Sequence, residues 1–362
     1  MSVTTINQIL LKNPVSKDIV YEFGKEDSTF EHGSVKFDES SLKEGQVLIK
    51  TILLSNDPTQ RGWLSKETPE KVSHRTYAPA IKAGEVVRSL GLGEVVYSKS
   101  EKYVVGDKVS AMITWADYTV VPEAQVFSKI DESKGLPLTM YLSALGMTAL
   151  TAYFGLTEVG KVTEGQTVVI SAASGATGSV AVQIAKHILK AKNVVGISGS
   201  DSKGKWVKSL GADHVVNYNS PTFAKDLATA IGPDFADAYF DNVGGEVLDT
   251  VLPLLKDHGR VMACGAISGY NDPSLAAVKN WFAIITQKLT VQGFLVMEFS
   301  AKVPQAIGAL VQGIQTGKIK AGEGLDLVDV SKDENPLESV PKAWSRLFSK
   351  DKGPGKLVTK LV

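Results

Sequence analysis

The sequence predicts an α/β chain in which a doubly wound parallel sheet is inserted into a mostly β domain. Short alternating segments punctuated by turns run from Ile6 to about Phe127, and a strand–helix rhythm starts at Thr167. The C-terminal tail ends in one short strand and cannot form a domain by itself. At 362 residues the chain also exceeds the size at which a single core stops growing, roughly 250 to 300 residues. We therefore expect residues 1–140 with 318–362 to form the β-rich domain and residues 141–317 the α/β domain.

In the β-rich part, V-L-I-K-T-I-L-L-S alternates apolar and polar residues and stops at N-D-P, the pattern of a half-buried antiparallel strand. Gly91, Gly93, Gly106 and Asp107 predict turns, and G-D-K-V-S-A-M-I leads into a further strand of a small, partly open barrel. Leu138 to Phe154 is helical in pattern and uncharged, which predicts a helix buried between the domains. From Thr167, strands T-V-V-I-S-A-A, N-V-V-G-I-S, H-V-V-N-Y, A-D-A-Y-F-D, R-V-M-A-C-G and L-T-V-Q-G-F-L-V alternate with helical segments, as a parallel sheet requires. A helix near Val303 to Ile314 should end at Gly317, and K-L-V-T-K-L-V should fold back onto the β-rich domain.

Lys+Arg and Asp+Glu are both 39, so no net charge draws the chain to nucleic acid or an anionic membrane surface. No apolar stretch has membrane length, and the N-terminus lacks the basic lead of a secretory signal. The one cysteine, Cys264, excludes an intramolecular disulfide and suits a reducing compartment. The cytoplasm is the expected location and a small molecule the expected ligand.

The stretch A-A-S-G-A-T-G breaks a β-branched strand into a helix. Gly175 and Gly178 hold the second and third places of a G-x-G-x-x-G turn, with Ala173 in the first. Gly175 lets backbone approach a pyrophosphate, Gly178 lets the helix pack on the strand, and amides at the helix start face the anion. A plain glycine-rich turn stands beside this reading. A dinucleotide fold that prefers NAD places an acidic residue about 20 residues after the glycines. Here Ser198, Gly199 and Ser200 occupy that place, and Lys203, with Lys205 close behind, offers a cation to a 2′-phosphate. This favours NADPH over NADH; a solvated lysine face is the alternative, and Asp201 fits a helix N-cap better than a ribose ligand.

Y-F-D-N-V-G-G at 239–245 and C-G-A-I-S-G-Y-N at 264–271 sit at the carboxyl ends of the fourth and fifth strands, where open α/β sheets bind ligands. Asn242 is a cofactor ligand or a turn asparagine, and Gly244 with Gly245 lets backbone pass close to it. Tyr270 is an oxyanion donor or a packing tyrosine. One cysteine and five scattered histidines, His32, His74, His187, His214 and His258, cannot build a zinc site at recognisable spacing, so we expect no metal. No Ser-His-Asp or Cys-His signature appears, and Cys264 reads as a packed small residue.

Taken together, S-N-D-P-T-Q-R-G-W (55–63), L-T-A-Y-F-G-L (150–156), A-A-S-G-A-T-G, G-S-D-S-K (199–203), N-Y (217–218), Y-F-D-N-V-G-G, C-G-A-I-S-G-Y-N and G-F-L-V (293–296) resemble the zinc-independent medium-chain dehydrogenase/reductases. Within these the resemblance is to leukotriene B4 12-hydroxydehydrogenase/prostaglandin reductases and alkenal double-bond reductases, and it covers nearly the whole chain. It implies a Rossmann domain inserted in a GroES-like catalytic domain, and a homodimer. It implies that Gly175, Ala176, Thr177 and Gly178 hold the pyrophosphate and that Lys203 and Tyr218 meet the 2′-phosphate. Asn242, Cys264, Gly265, Ala266, Ile267, Tyr270, Phe294, Leu295 and Val296 would line the path to the nicotinamide, and Asn56, Thr59, Arg61 and Tyr270 the substrate pocket. Two positions depart from the pattern: Thr59 stands where relatives carry a tyrosine, and Gly353 where they carry a cofactor-binding asparagine. The activity implied is NADPH-dependent reduction of the C=C bond of α,β-unsaturated aldehydes and ketones, with Tyr270 stabilising the enolate. Carbonyl or quinone reduction is the nearest alternative, and an NADPH-binding crystallin-like protein or sensor with little turnover a more distant one.

Overall fold

The computed structural model describes residues 4–16, 18–65, 78–349 and 352–362, the Lys134 side chain excepted; His74 lies outside them. The chain divides into two compact units. The described residues of Met1–Leu142, Asp326–Gly353 and Leu357–Val362 make the first, and Ser143–Leu325 with Pro354–Lys356 the second.

In chain order the first unit contributes β1 (Thr5–Leu11), β2 (Phe30–Lys36), β3 (Gln46–Ser55), α1 (Gln60–Trp63), β4 (Arg88–Ser98), β5 (Lys108–Thr114), β6 (Tyr118–Pro122) and β7 (Val126–Lys129). The second contains α2 (Met147–Phe154), β8 (Thr167–Ile170), α3 (Ala176–Gln183), β9 (Asn193–Ser198), α4 (Asp201–Ser209), β10 (His214–Asn217) and α5 (Phe223–Ile231). It continues through β11 (Ala236–Asp241), α6 (Gly245–Val251), β12 (Leu255–Ala263), α7 (Phe282–Thr286), β13 (Thr290–Gly293) and α8 (Val303–Gln315). The tail supplies β14 (Leu325–Asp329), α9 (Pro336–Ser345) and β15 (Lys356–Lys360).

The first unit is organised around β3, with which β4, β6 and β15 all pair antiparallel. Val47, Leu48, Ile49 and Leu54 of that strand are buried, and an aromatic cluster of Phe30, Trp115 and Trp344 fills the core nearby. The sequence marked Gly91 and Gly93 as turns; both instead lie inside β4. A Cβ at 91 would stand 2.7 Å from the Leu53 carbonyl oxygen, and one at 93 would stand 2.3 Å from that of Lys50. The β3–β4 register shifts between Thr51 and Leu53, and glycine is what lets the two backbones cross closely there.

The second unit holds a parallel six-stranded sheet in the order β10-β9-β8-β11-β12-β13, so the doubly wound fold read from the sequence is the one observed. All four residues of β8 are buried, which explains its unbroken apolar run. The order in which successive strands are added reverses between β8 and β11, which are parallel, making a crevice at their carboxyl ends. The single helix expected over Leu138 to Phe154 is broken: a 3₁₀ turn spans Leu138–Leu142, and α2 starts only after Gly146, whose backbone is extended at φ −95°, ψ −170°. No helix among the described residues is long and apolar enough to cross a membrane.

Candidate active site

The β8–α3 turn is built by close backbone approach. Ala172 takes φ +45°, and its carbonyl accepts the Gly175 N–H at 2.8 Å. A Cβ at Gly178 would stand 2.2 Å from that same oxygen, so glycine is required where helix meets turn. The α-helical bonding of α3 begins with Ser179 N donating to Gly175 O at 3.0 Å. The amides of Ala176, Thr177 and Gly178 precede it and have no intrahelical acceptor, which leaves them for an anion. On the outer side, Gly355 N donates to Ser174 O at 2.8 Å and Lys356 N to Gly324 O at 2.9 Å, holding residues 354–356 along the turn.

At the end of β9, the Ser200 hydroxyl caps α4 by accepting the Lys203 N–H at 3.3 Å. This corrects the sequence reading of Asp201 as the cap: Asp201 is the first helical residue, and its Oδ1 accepts Asn217 Nδ2 at 3.0 Å. Among the described residues nothing engages the Lys203 ammonium. Tyr218 is exposed and lies over Gly199, where a Cβ would stand 2.9 Å from the phenol oxygen. Turn amides, a strand end without a carboxylate, and an available lysine together fit a dinucleotide carrying a 2′-phosphate.

The switch point is clasped by polar groups. Asn242 donates its backbone N–H to Ser171 Oγ at 2.9 Å and its side-chain amide to Ser171 O at 2.8 Å, so its amide is committed to joining the ends of β8 and β11. Asp241, which sequence reasoning passed over, anchors this region. Its buried Oδ1 accepts from Tyr239 Oη at 2.8 Å and from the Val243 and Gly244 N–H groups at 2.9 Å. Burial raises its carboxyl above the usual range, opposed by those hydrogen bonds. An acidic residue closing an otherwise apolar strand was the available signal. Gly244 and Gly245 have positive φ, and a Cβ at 245 would meet Leu275 O at 2.1 Å; Gly245 thus answers to protein backbone at that point.

The loop after β12 folds against that turn, with Ser268 Oγ donating to Val243 O at 2.6 Å. Burial pushes the Cys264 thiol up to about 12, with the Asp241 charge adding to it, so the thiol is un-ionised and suited to packing. Tyr270 is half-buried, its phenol lying over Gly265 at 3.4 Å from an added Cβ and hydrogen-bonded with the Ala266 backbone. Burial raises its pKa, which keeps the O–H available as a donor. Phe294 is buried edge-on to Phe240 with ring centroids 6.2 Å apart, while Leu295 is exposed and Val296 half-buried.

In the first unit, Asn56 is buried and donates Nδ2 to Thr359 Oγ1 at 2.9 Å, and Arg61 is buried with Nη1 on Ser65 Oγ at 2.9 Å. Burial lowers the Arg61 pKa, opposed by Tyr21 and Asp18, while it pushes Tyr21 up to about 12. Of the three expected pocket residues in this unit, Thr59 alone is half-exposed. The Gly353 departure has a local cause: Asp326 Oδ2 accepts its N–H at 2.7 Å and would stand 2.8 Å from a Cβ, and Arg346 holds that carboxylate at 3.1 Å.

Fold and site define a dinucleotide-binding oxidoreductase. A family model described as the N-terminal domain of oxidoreductase matches residues 25–129, and one described as zinc-binding dehydrogenase matches residues 176–312. Among the described residues no group of three or more His, Cys, Asp or Glu could hold a metal ion. The chain is 36% identical to an uncharacterized membrane protein of Saccharomyces cerevisiae, covering 98% of each. It is 34% identical to the NADP(+)-dependent 2-alkenal reductase of Nicotiana tabacum, covering 94% of each. CurA of Vibrio vulnificus, solved in complex with NADPH, has the same fold with a TM-score of 0.82 and 28% identity, over 98% of this chain and 99% of that one. The chain belongs to the medium-chain dehydrogenase/reductases, in the zinc-independent branch of alkenal and prostaglandin reductases.

Proposed function

We propose that this chain reduces the C=C bond of α,β-unsaturated aldehydes and ketones. It is an NADPH-dependent oxidoreductase, in keeping with its relatives and with the NADPH complex of CurA. The observation that carries the cofactor reading is the β9–α4 turn, which offers Lys203 and Tyr218 and no carboxylate at the strand end. In this reading Gly175 to Gly178 hold the pyrophosphate, while Asn242, residues 264–267 and Phe294 to Val296 line the path to the nicotinamide. When bound, NADPH would supply a hydride to the β-carbon of the substrate. Tyr270, kept protonated by its raised pKa, donates to the developing enolate oxygen, and water protonates the α-carbon.

The first unit serves as the catalytic domain and the second as the cofactor domain, with the second running on to Leu325 rather than stopping at Gly317. The assembly is a homodimer in the cytoplasm: β13 is an exposed edge strand, flanked by exposed Trp281, Phe282 and Ile285. The test is product analysis with one enone, together with Tyr270→Phe. A saturated ketone is expected, and the substitution should lower kcat by about 10²-fold. An allylic alcohol would overturn C=C selectivity, and an unchanged kcat would remove Tyr270 from the chemistry.

A further inference from the structure

One carboxylate stands close to the 2′-phosphate end of the proposed site without a role in it. Asp201 opens α4, one residue after the Ser200 cap and two before Lys203. A negative charge so placed opposes a phosphomonoester, yet its Oδ1 is occupied by Asn217 Nδ2 at 3.0 Å, at the end of β10. The Asn217 Oδ1 in turn accepts the Asn219 N–H at 3.0 Å, and Asn219 Nδ2 donates to Gly199 O at 2.8 Å. These side chains tie the end of β10 to the β9–α4 turn. At about 100° per residue, positions 201 and 203 point about 200° apart around the helix. The tie therefore holds the Asp201 carboxylate on Asn217, away from the direction in which Lys203 leaves the helix.

We propose that Asn217 is a specificity-determining positioning residue: by engaging the Asp201 carboxylate through its side-chain amide, it keeps that charge from turning to the cofactor's 2′-phosphate and so sets the preference for NADPH over NADH. The inference rests on the NADPH reading above and adds to it a residue that touches no cofactor. Asn219 supports the same geometry through Gly199, over which the Tyr218 phenol lies.

The experiment measures the Kd of the full chain for NADP+ and NAD+ by calorimetry at low salt. Asn217→Asp retains the acceptor for Asn219 but sets a second carboxylate against Asp201. It should raise the NADP+ Kd about tenfold and the NAD+ Kd less than about twofold. Adding Asp201→Asn restores a donor–acceptor pair and should return the NADP+ Kd to within about twofold of the parent. Asp201→Asn alone should bind NADP+ at least as tightly as the parent. Failure of the second substitution to rescue, equal losses for both nucleotides, or weaker NADP+ binding by Asp201→Asn alone would overturn the tether. Lys203→Ala separates the two levels. If it leaves the NADP+ Kd unchanged, the cofactor-end assignment falls, and with it the tether. If it weakens NADP+ selectively while the rescue fails, the tether alone falls.

Discussion

Gly178→Ala tests the geometry of the phosphate turn. The added Cβ would stand 2.2 Å from Ala172 O, 2.8 Å from Ala172 C and 2.9 Å from Ala173 Cα, against 3.4–4 Å for ordinary contact. All three neighbours are main chain, so the turn must open by about 1 Å, placing the cost near the upper end of the roughly 1–3 kcal/mol of overpacking. Alanine's better helix propensity offsets about 1 kcal/mol, leaving a net loss of about 2 kcal/mol. At about 2–4 °C per kcal/mol for a unit of this size, Tm should fall by about 4–8 °C. Gly175→Ala is the control: its Cβ would stand 3.1 Å from the same oxygen, at an unstrained φ of −84°. Its Tm should move by less than about 2 °C. Thermal melts without cofactor read both variants, and a calorimetric titration of Gly178→Ala should show NADP+ binding weakened about tenfold as the amides of residues 176–178 shift. Equal Tm shifts, or a parental Tm for Gly178→Ala, would refute the argument that backbone contact alone selects this glycine.

Lys203→Ala should raise KM for NADPH about tenfold or more while changing KM for NADH less than about twofold; equal effects in steady-state kinetics would remove Lys203 from the 2′-phosphate. Because burial lifts the Cys264 thiol from 9.0 to about 12, labelling of the folded protein by a disulfide reagent at pH 8 should be about 10³-fold slower than after unfolding. By linkage, a raised folded pKa contributes stability that is whole below pH 9.0 and lost as pH climbs toward about 12. Denaturant melts should therefore show the parent losing stability more steeply than Cys264→Ala over that range; parallel curves, or rapid native labelling, would sink the assignment. Ile285→Glu, beside the free edge of β13, should convert a dimer into a monomer in light scattering, and a monomeric parent would refute the proposed assembly.

Much of the architecture was legible because periodicity records which side chains leave water. The buried β-branched run of β8, the alternation in β3 and the recurring strand–helix spacing fixed the class of each unit and the strands that carry the site. The glycine turn, the serines and glycine at 198–200 where an NAD fold places its acidic residue, and Lys203 were likewise local in sequence, so the cofactor could be read from them. Local pattern misled where a residue serves a contact remote in the chain. Gly91 and Gly93 read as turns, but they are strand residues selected by the main chain of Leu53 and Lys50. The apolar stretch before Phe154 read as one helix, although extended backbone at Gly146 divides it.

What only tertiary structure decided is how polar groups far apart in sequence are satisfied. Asn242 read as a cofactor ligand or a turn residue; across 71 positions the fold gives it Ser171 as a partner. Asp241 became the anchor of the turn after β11 only once its strand end was buried there. The same holds for Gly353 against Asp326, and for Asp201, whose first-turn position is apparent from sequence while its tether to Asn217 is not. Burial is encoded residue by residue in hydrophobicity, whereas the partner of a buried polar group depends on which distant strand ends the packed sheet brings together.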